Sequence, residues 1–231
     1  MSSSPEEESF LNRLFFLVNI ASFTNITASI CSTTTCIGKE TPYFTSISSI
    51  IYPFDGNVND ISGYATGIAF NFLATSYTTS SYVGSFALNL SPASSQYVQI
   101  PYINLAQSFT IEVWVFPLTS LTGDYGIFGQ CDIDLKCFSL SLRNGRIALS
   151  FDAMNATNNT LTSSSLVILS DWTHISVIYN ATLAQQQIYI NGRVDAASIG
   201  TIAPYAGTSS GSITTIGRSI SSAYGLSYFQ G

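Results

Sequence analysis

Charge is what this chain has least of. Only 9% of its 231 residues are Asp, Glu, Lys or Arg, against roughly a quarter in an average soluble protein. Ser and Thr fill the polar positions instead. The seven basic residues are scattered as Arg13, Lys39, Lys136, Arg143, Arg146, Arg193 and Arg218, and the net charge is −6. Binding a nucleic acid needs clustered cations that neutralise phosphates and release counterions. Nucleic acid is therefore excluded as a partner, and heparin-like polyanions with it. Histidine is scarcer still: a Ser–His–Asp triad would have to be built on His174 alone. Of the five Glu, three (Glu6, Glu7, Glu8) lie at the extreme amino terminus. Glu112 has no second carboxylate two or four positions further on, where a glycosidase pair on one strand would place it. No Gly-x-Ser-x-Gly elbow, phosphate loop or dinucleotide fingerprint occurs. These gaps argue against an enzyme.

Apolar material is plentiful by contrast, with 46% hydrophobic and 13% aromatic residues, enough for a substantial core. It is arranged in short runs that alternate with period two. Phe109-Thr-Ile-Glu-Val-Trp-Val-Phe-Pro117 is one; Asp171-Trp-Thr-His-Ile-Ser-Val-Ile-Tyr179 and Gln187-Ile-Tyr-Ile-Asn-Gly-Arg193 follow about sixty residues later. No stretch sustains helical periodicity over three turns, so the expected fold class is all-β, an antiparallel two-sheet β-sandwich. Trp114 and Trp172 lie in such runs and are expected to pack in the core or against a sheet. Asn144-Gly145 and Asn191-Gly192 each separate two such runs, and both residue types tolerate the positive φ of a two-residue hairpin turn.

The domain organisation reads as a leader at 1–30, a Ser/Thr-rich linker at 31–48 and one β-domain from 50 to 231. The leader is expected to be short and poorly ordered or helical. Leu14 to Phe23 has the length of a signal-peptide apolar region, with Arg13 before it and small residues near Ala28, although Glu6 to Glu8 are acidic where such signals are basic. A degenerate signal peptide, a signal anchor and a piece of a larger parent remain open; any membrane contact would run through this anchor. The four cysteines form two close pairs, Cys31 with Cys36 and Cys131 with Cys137, without the Cys-x-x-Cys spacing of a metal site. Disulfides in a secreted or cell-surface protein are the expectation. Five triplets for N-glycosylation begin at Asn25, Asn89, Asn155, Asn158 and Asn180. Asn155, Asn158 and Asn180 are the expected acceptors; Asn25 would leave with a cleaved leader, and Pro92 follows the Asn89 triplet.

In order, the pieces resemble the laminin-G-like, concanavalin-A-like jelly-roll family over residues 50–231. The resemblance rests on Tyr52-Pro-Phe-Asp-Gly-Asn-Val-Asn-Asp60, Gly84 to Leu90, Gln96 to Pro101, the Phe109–Pro117 strand, Phe138–Leu142 with Ile147–Phe151, the Trp172-Thr-His174 strand, Ile188-Tyr-Ile-Asn-Gly192, Ile213 to Gly217, and Phe229-Gln-Gly231. It implies a jelly roll, a half-buried packing role for His174, and a further strand beyond Phe-x-Gly; a domain lacking that strand is expected to leave an edge or gap in one sheet. It also implies recognition of glycan or extracellular protein rather than catalysis. An adhesion spacer without a ligand of its own is the alternative, and a degenerate glycoside hydrolase using Glu112 the remote one.

Two loop clusters carry the candidate sites. Asp124-Tyr-Gly126 together with Cys131-Asp-Ile-Asp-Leu-Lys-Cys137 offers an aromatic and two acids, so Tyr125, Asp132 and Asp134 are the candidate ligand-binding residues. Asp55-Gly-Asn-Val-Asn-Asp60 is rich in the oxygen ligands calcium needs, so Asp55, Asn57 and Asp60 are candidate metal ligands for a structural calcium, the one cofactor expected. Ordinary turn formation accounts for the same residues. A bound calcium would raise the melting temperature in millimolar calcium, and Asp60→Ala would abolish the rise; an unchanged melt in calcium sinks the metal reading.

Overall fold

The computed structural model describes residues 16–20, 48–61, 63, 65–82, 84–118, 120–151, 159–198, 200, 202–221 and 225–231. Cys31, Cys36, Asn25, Asn155, Asn158 and nearly all of the linker lie outside them. The strands run in chain order as β1 (Phe16–Ile20), β2 (Ser48–Tyr52), β3 (Ile68–Phe70), β4 (Tyr77–Thr78), β5 (Ala87–Leu88), β6 (Tyr97–Ile100), β7 (Phe109–Val115), β8 (Asp124–Cys131) and β9 (Cys137–Arg143). They continue as β10 (Arg146–Ser150), β11 (Thr160–Thr162), β12 (Thr173–Asn180), β13 (Gln185–Ile190), β14 (Arg193–Ser198), β15 (Ile213–Ile216), β16 (Arg218–Ser221) and β17 (Gly225–Tyr228). A single 3-10 turn at Pro92–Ser94 is the helical content among the described residues. No helix among them is long and apolar enough to cross a membrane.

Two antiparallel sheets carry the fold. One has six strands in the order β14-β13-β12-β7-β1-β2, the other seven in the order β11-β10-β9-β8-β15-β6-β3. Period-two alternation decides what lies between them. On β7, Phe109, Ile111 and Val115 are buried while Thr110, Glu112 and Trp114 are only half-buried. On β12, Ile175, Val177 and Tyr179 point the same way inward. Phe128, Phe138, Leu140, Leu142, Ile147 and Leu149 meet them from the other sheet. The sheets touch through rings: Phe109 lies 5.7 Å from Phe138 and 5.9 Å from Phe151, and Phe151 stands edge-on to Tyr179 at 4.9 Å. Each such buried side chain contributes about 1.5–3 kcal/mol through apolar burial, and an edge-on aromatic pair adds roughly 0.5–1.5 kcal/mol.

The two hairpin turns form as their sequences require. Asn144 and Gly145 have φ of 49° and 79°, and Asn191 and Gly192 have 50° and 76°, positive at both central positions. Arg143 then pairs with Arg146, and Ile190 with Arg193.

A third layer departs from a simple sandwich. The hairpin β16–β17 lies across the outer face of the seven-stranded sheet, so Ser139 and Ser141, which point away from the core, are also buried. Glycine makes this possible. A Cβ on Gly126 would sit 2.2 Å from the Ser219 backbone nitrogen, and one on Gly129 2.7 Å from the Arg218 carbonyl oxygen. The layer is held by polar contacts: Asp124 accepts from Ser141 Oγ at 2.8 Å, Arg143 Nε at 2.9 Å and Ser227 Oγ at 3.2 Å.

The amino-terminal expectation needs one correction. Phe16–Ile20, inside the expected poorly ordered or helical leader, forms β1, paired antiparallel with both β2 and β7. The physical reason is the pair of sheet edges on either side, whose amides and carbonyls would otherwise go unpaired.

Replacing Gly126 by Val should overpack the seat of β16 at a cost of about 2–3 kcal/mol, lowering the melting temperature by roughly 4–10 °C. An unchanged melt would mean that the hairpin does not rest on the sheet.

Candidate functional site

The loop residues singled out from the sequence do not assemble into one rim. Tyr125 and Asp132 stand at opposite ends of β8, which at about 3.3 Å per residue separates them by more than 20 Å. Tyr125 packs its ring on the core edge and donates its hydroxyl to the Thr122 carbonyl at 3.1 Å. Asp132 is 4% exposed. Its Oδ1 accepts from the Asp134 and Lys136 amides at 3.0 and 2.9 Å, and its Oδ2 from the Thr208 amide at 3.0 Å. Burial pushes this carboxyl up, but the amides of Thr208, Lys136 and Asp134 outweigh it and hold the group below the usual carboxylate range. Asp134 is exposed. The Cys131–Cys137 disulfide is formed, and Tyr205 donates its hydroxyl to the Lys136 carbonyl at 2.8 Å from beneath. Asp132 is thus a clamp for the disulfide loop.

The Asp55–Asp60 turn is engaged in the same manner. Asp60 Oδ1 accepts from the Ile51 amide at 2.8 Å and Oδ2 from the Ala65 amide at 3.0 Å. Asn57 Oδ1 accepts from the Asn59 amide at 2.9 Å. Asp55 Oδ1 accepts from Ser85 and Phe86 at 3.1 and 2.9 Å, thirty residues along the chain. Among the described residues no three His, Cys, Asp or Glu side chains gather to hold a metal. Asn180 is half-buried, and its Oδ1 accepts from the Thr182 and Leu183 amides at 3.0 and 3.1 Å.

The loop that Asp55 holds leads to a different place. It carries Tyr82, whose ring is 53% exposed and stacks on Trp114 with centroids 4.1 Å apart and planes 24° apart. Trp172 leans toward Tyr82 at 6.4 Å and 53°, and Phe116 buttresses it at 5.3 Å. His174, paired across the strands with Trp114, sets its ring 5.1 Å from the indole. Asn191 is fixed at both ends: its amide donates to the His174 carbonyl at 2.8 Å and its Oδ1 accepts from the His174 amide at 2.9 Å. Asp171 Oδ1 accepts from the Trp172 amide at 2.9 Å. Tyr82, Trp114, Asp171, Trp172, His174 and Asn191 together line an open depression of 530 Å³, within the range of small-ligand sites.

Neither tryptophan is therefore a core residue. Trp114 shares its strand phase with Thr110 and Glu112, opposite to Phe109, Ile111 and Val115, so the outer face was legible in the alternation. Trp172 precedes β12. Tyr82 carries no signal in its own neighbourhood. Burial draws the His174 pKa down, against the opposing pull of Glu112 on the same face. The imidazole is therefore neutral at pH 7, and each of its nitrogens can serve as donor or acceptor.

The Asp132 clamp has a pH signature. Its folded-state pKa lies below the unfolded value of about 3.9, so its stabilisation is complete above that pH and fades as pH falls through the folded value. Asp132→Asn should cost about 1.5–3 kcal/mol at pH 7 and flatten the fall of melting temperature below about pH 4. Parallel acid profiles for the two proteins would show that Asp132 is not the clamp.

No curated protein sequence matches the chain at a significant level. Among solved structures, domain 4 of AbnA, a GH43 extracellular arabinanase from Geobacillus stearothermophilus in complex with arabinotriose, is similar at TM-score 0.52 and 17% identity, covering 76% of this chain and 83% of that one. The CBM40 of the Ruminococcus gnavus IT-sialidase bound to α2,3 sialyllactose gives TM-score 0.46 and 14% identity over 54% of this chain and 71% of that one. Domains LG4-5 of the mouse laminin α1 chain give 0.42 and 13% over 52% of this chain and 31% of that one. The likeness to the arabinanase domain is one of fold. The sequence profile of the concanavalin A-like lectin/glucanases superfamily matches residues 92–231, more than half of the chain, and the chain belongs to that superfamily.

Proposed function

We propose that this protein is a carbohydrate-binding module that holds a sugar ring against Tyr82 and Trp172, with Asp171, Asn191 and His174 as hydrogen-bond partners. One observation carries the reading: large aromatic side chains that the fold could have buried are displayed in an open depression beside polar groups already fixed in place. A pyranose has one face of C–H groups and a rim of hydroxyls, so it needs an apolar plane and donors and acceptors at its edge. Trp114 lies beneath Tyr82 and supports it. Asp55 contributes at a distance by holding the Tyr82 loop through Ser85 and Phe86. The arabinotriose held by the arabinanase domain of like fold supports a saccharide as the ligand class. The module acts by recognition, with no second carboxylate across from Glu112: Ser176 is its partner on β12.

The Cys131–Cys137 disulfide supports an oxidising compartment, hence a secreted or cell-surface protein. A structural calcium remains part of this reading, and Asp55, Asn57 and Asp60 would supply its oxygens.

Tyr82→Ala should weaken retention on saccharide columns about tenfold, the equivalent of losing one aromatic contact of about 1.4 kcal/mol. The half-exposed ring contributes little to the fold, so the melting temperature should move by less than about 2 °C. Undiminished retention by the variant would remove the aromatic depression from consideration.

A further inference from the structure

Resting on the carbohydrate reading of the depression, we infer that the site is selective for electrically neutral saccharides and rejects sialylated, sulfated and uronic-acid sugars. Its ionisable surroundings are acidic. Asp171 lines it, and Glu112 stands two residues before Trp114 on the same face of β7, near enough to act on His174 electrostatically. No Lys or Arg is among the lining residues.

The five basic residues within the described part of the chain are placed elsewhere. Arg143 pairs with Asp124 on the seven-stranded sheet. Arg146 donates to the Ser163 and Ser164 carbonyls. Arg218 lies over the Tyr97 ring at 3.9 Å. Lys136 belongs to the disulfide loop between Cys131 and Cys137. Arg193 opens β14 after the Asn191-Gly192 turn, pairs with Ile190 and does not line the depression.

An anionic sugar entering here would give up water around its carboxylate or sulfate without gaining a cation in exchange. It would also meet Asp171 at close range and Glu112 behind it, and like charges brought together in this way oppose binding strongly. His174 supplies no compensation, because burial keeps its imidazole neutral at pH 7. A neutral hydroxyl suits the same groups well. It can donate to the Asp171 carboxylate and accept from the Asn191 side-chain amide while its ring stacks on Tyr82.

The test is a glycan array carrying neutral gluco-, galacto-, manno-, xylo- and arabino-configured oligosaccharides beside sialylated, sulfated and uronic-acid counterparts of the same backbones, read at low ionic strength. The full chain, its Tyr82→Ala variant and its Glu112→Gln variant are compared. Binding should be confined to neutral sugars, with anionic counterparts at least about tenfold weaker. Glu112→Gln should leave the neutral signals unchanged and narrow the gap to the anionic ones, and the gap should shrink as salt screens the carboxylates. Anionic sugars bound as well as neutral ones, and lost in Tyr82→Ala, would overturn the charge selection while leaving the carbohydrate site standing. No saccharide bound, or binding indifferent to Tyr82→Ala, would overturn the carbohydrate site and the selection with it.

Discussion

The register between β7 and β12 is the constraint from which the rest follows. Seven residue pairs run from Thr173 with Val115 to Tyr179 with Phe109. Because side chains alternate at every residue, one register assigns two faces at once. Phe109, Ile111, Val115, Ile175, Val177 and Tyr179 go inward and meet the rings of the opposite sheet. Trp114, Glu112 and His174 go outward, and the same pairing that aligns the core places the imidazole beside the indole. A slip by one residue would turn Trp114 into the core and expose Val113 and Val115. The packing that sets the core register thus also fixes the geometry of the outer face that carries Trp114 and His174.

This coupling explains how a chain with so few charges builds a rigid site. Apart from Asp124, which pairs with Arg143, the carboxylates described above capture backbone amides. Asp132 ties the disulfide loop to Thr208, Asp60 ties Ile51 to Ala65, and Asp55 ties Ser85 and Phe86 to the first turn. Each carboxylate holds two chain segments that are distant in sequence, which shortens the loops the core must otherwise restrain. Charge-assisted bonds to amides are roughly twice as strong as neutral ones, and they need no partner side chain to be ordered. Two such bonds, to Ser85 and Phe86, lie just beyond Tyr82 in the chain.

The fold was legible because its signals are local. Period-two alternation in β7, β12 and β13 and the Asn-Gly pairs at 144–145 and 191–192 each act within a few residues, and the turns took the expected positive φ. The third layer was not legible: Gly126 and Gly129 read as ordinary small residues until β16, some ninety residues later, lies against them. The strand β1 was obscured for a related reason, since an apolar run fits a leader and a sheet equally well until the free edges of β2 and β7 are known. The candidate site was half visible. Trp114 and Trp172 stood out, but their place in alternating strands left core and sheet-face packing open, and only strand phase points Trp114 outward. Tyr82 could not be found from sequence, because its stacking on Trp114 depends on a loop path that Asp55 sets.

The acids and the aromatics on the two faces therefore answer to different demands. Asp55, Asp60 and Asp132 each accept from backbone amides and so tie chain segments together. Asp171 accepts from one amide through Oδ1, its own neighbour's, and lines the depression. Glu112, paired in β7 with Leu17 on one side and Ser176 on the other, bears on His174 through its charge. Where no described cation lines the depression, Asp171 and the nearby Glu112 give that aromatic surface a sign. The scarcity of cations that argues against polyanions in the sequence recurs at the scale of one depression. On the carbohydrate reading a neutral ring would stack there, and a negative one would find no lining cation to replace the water it leaves behind.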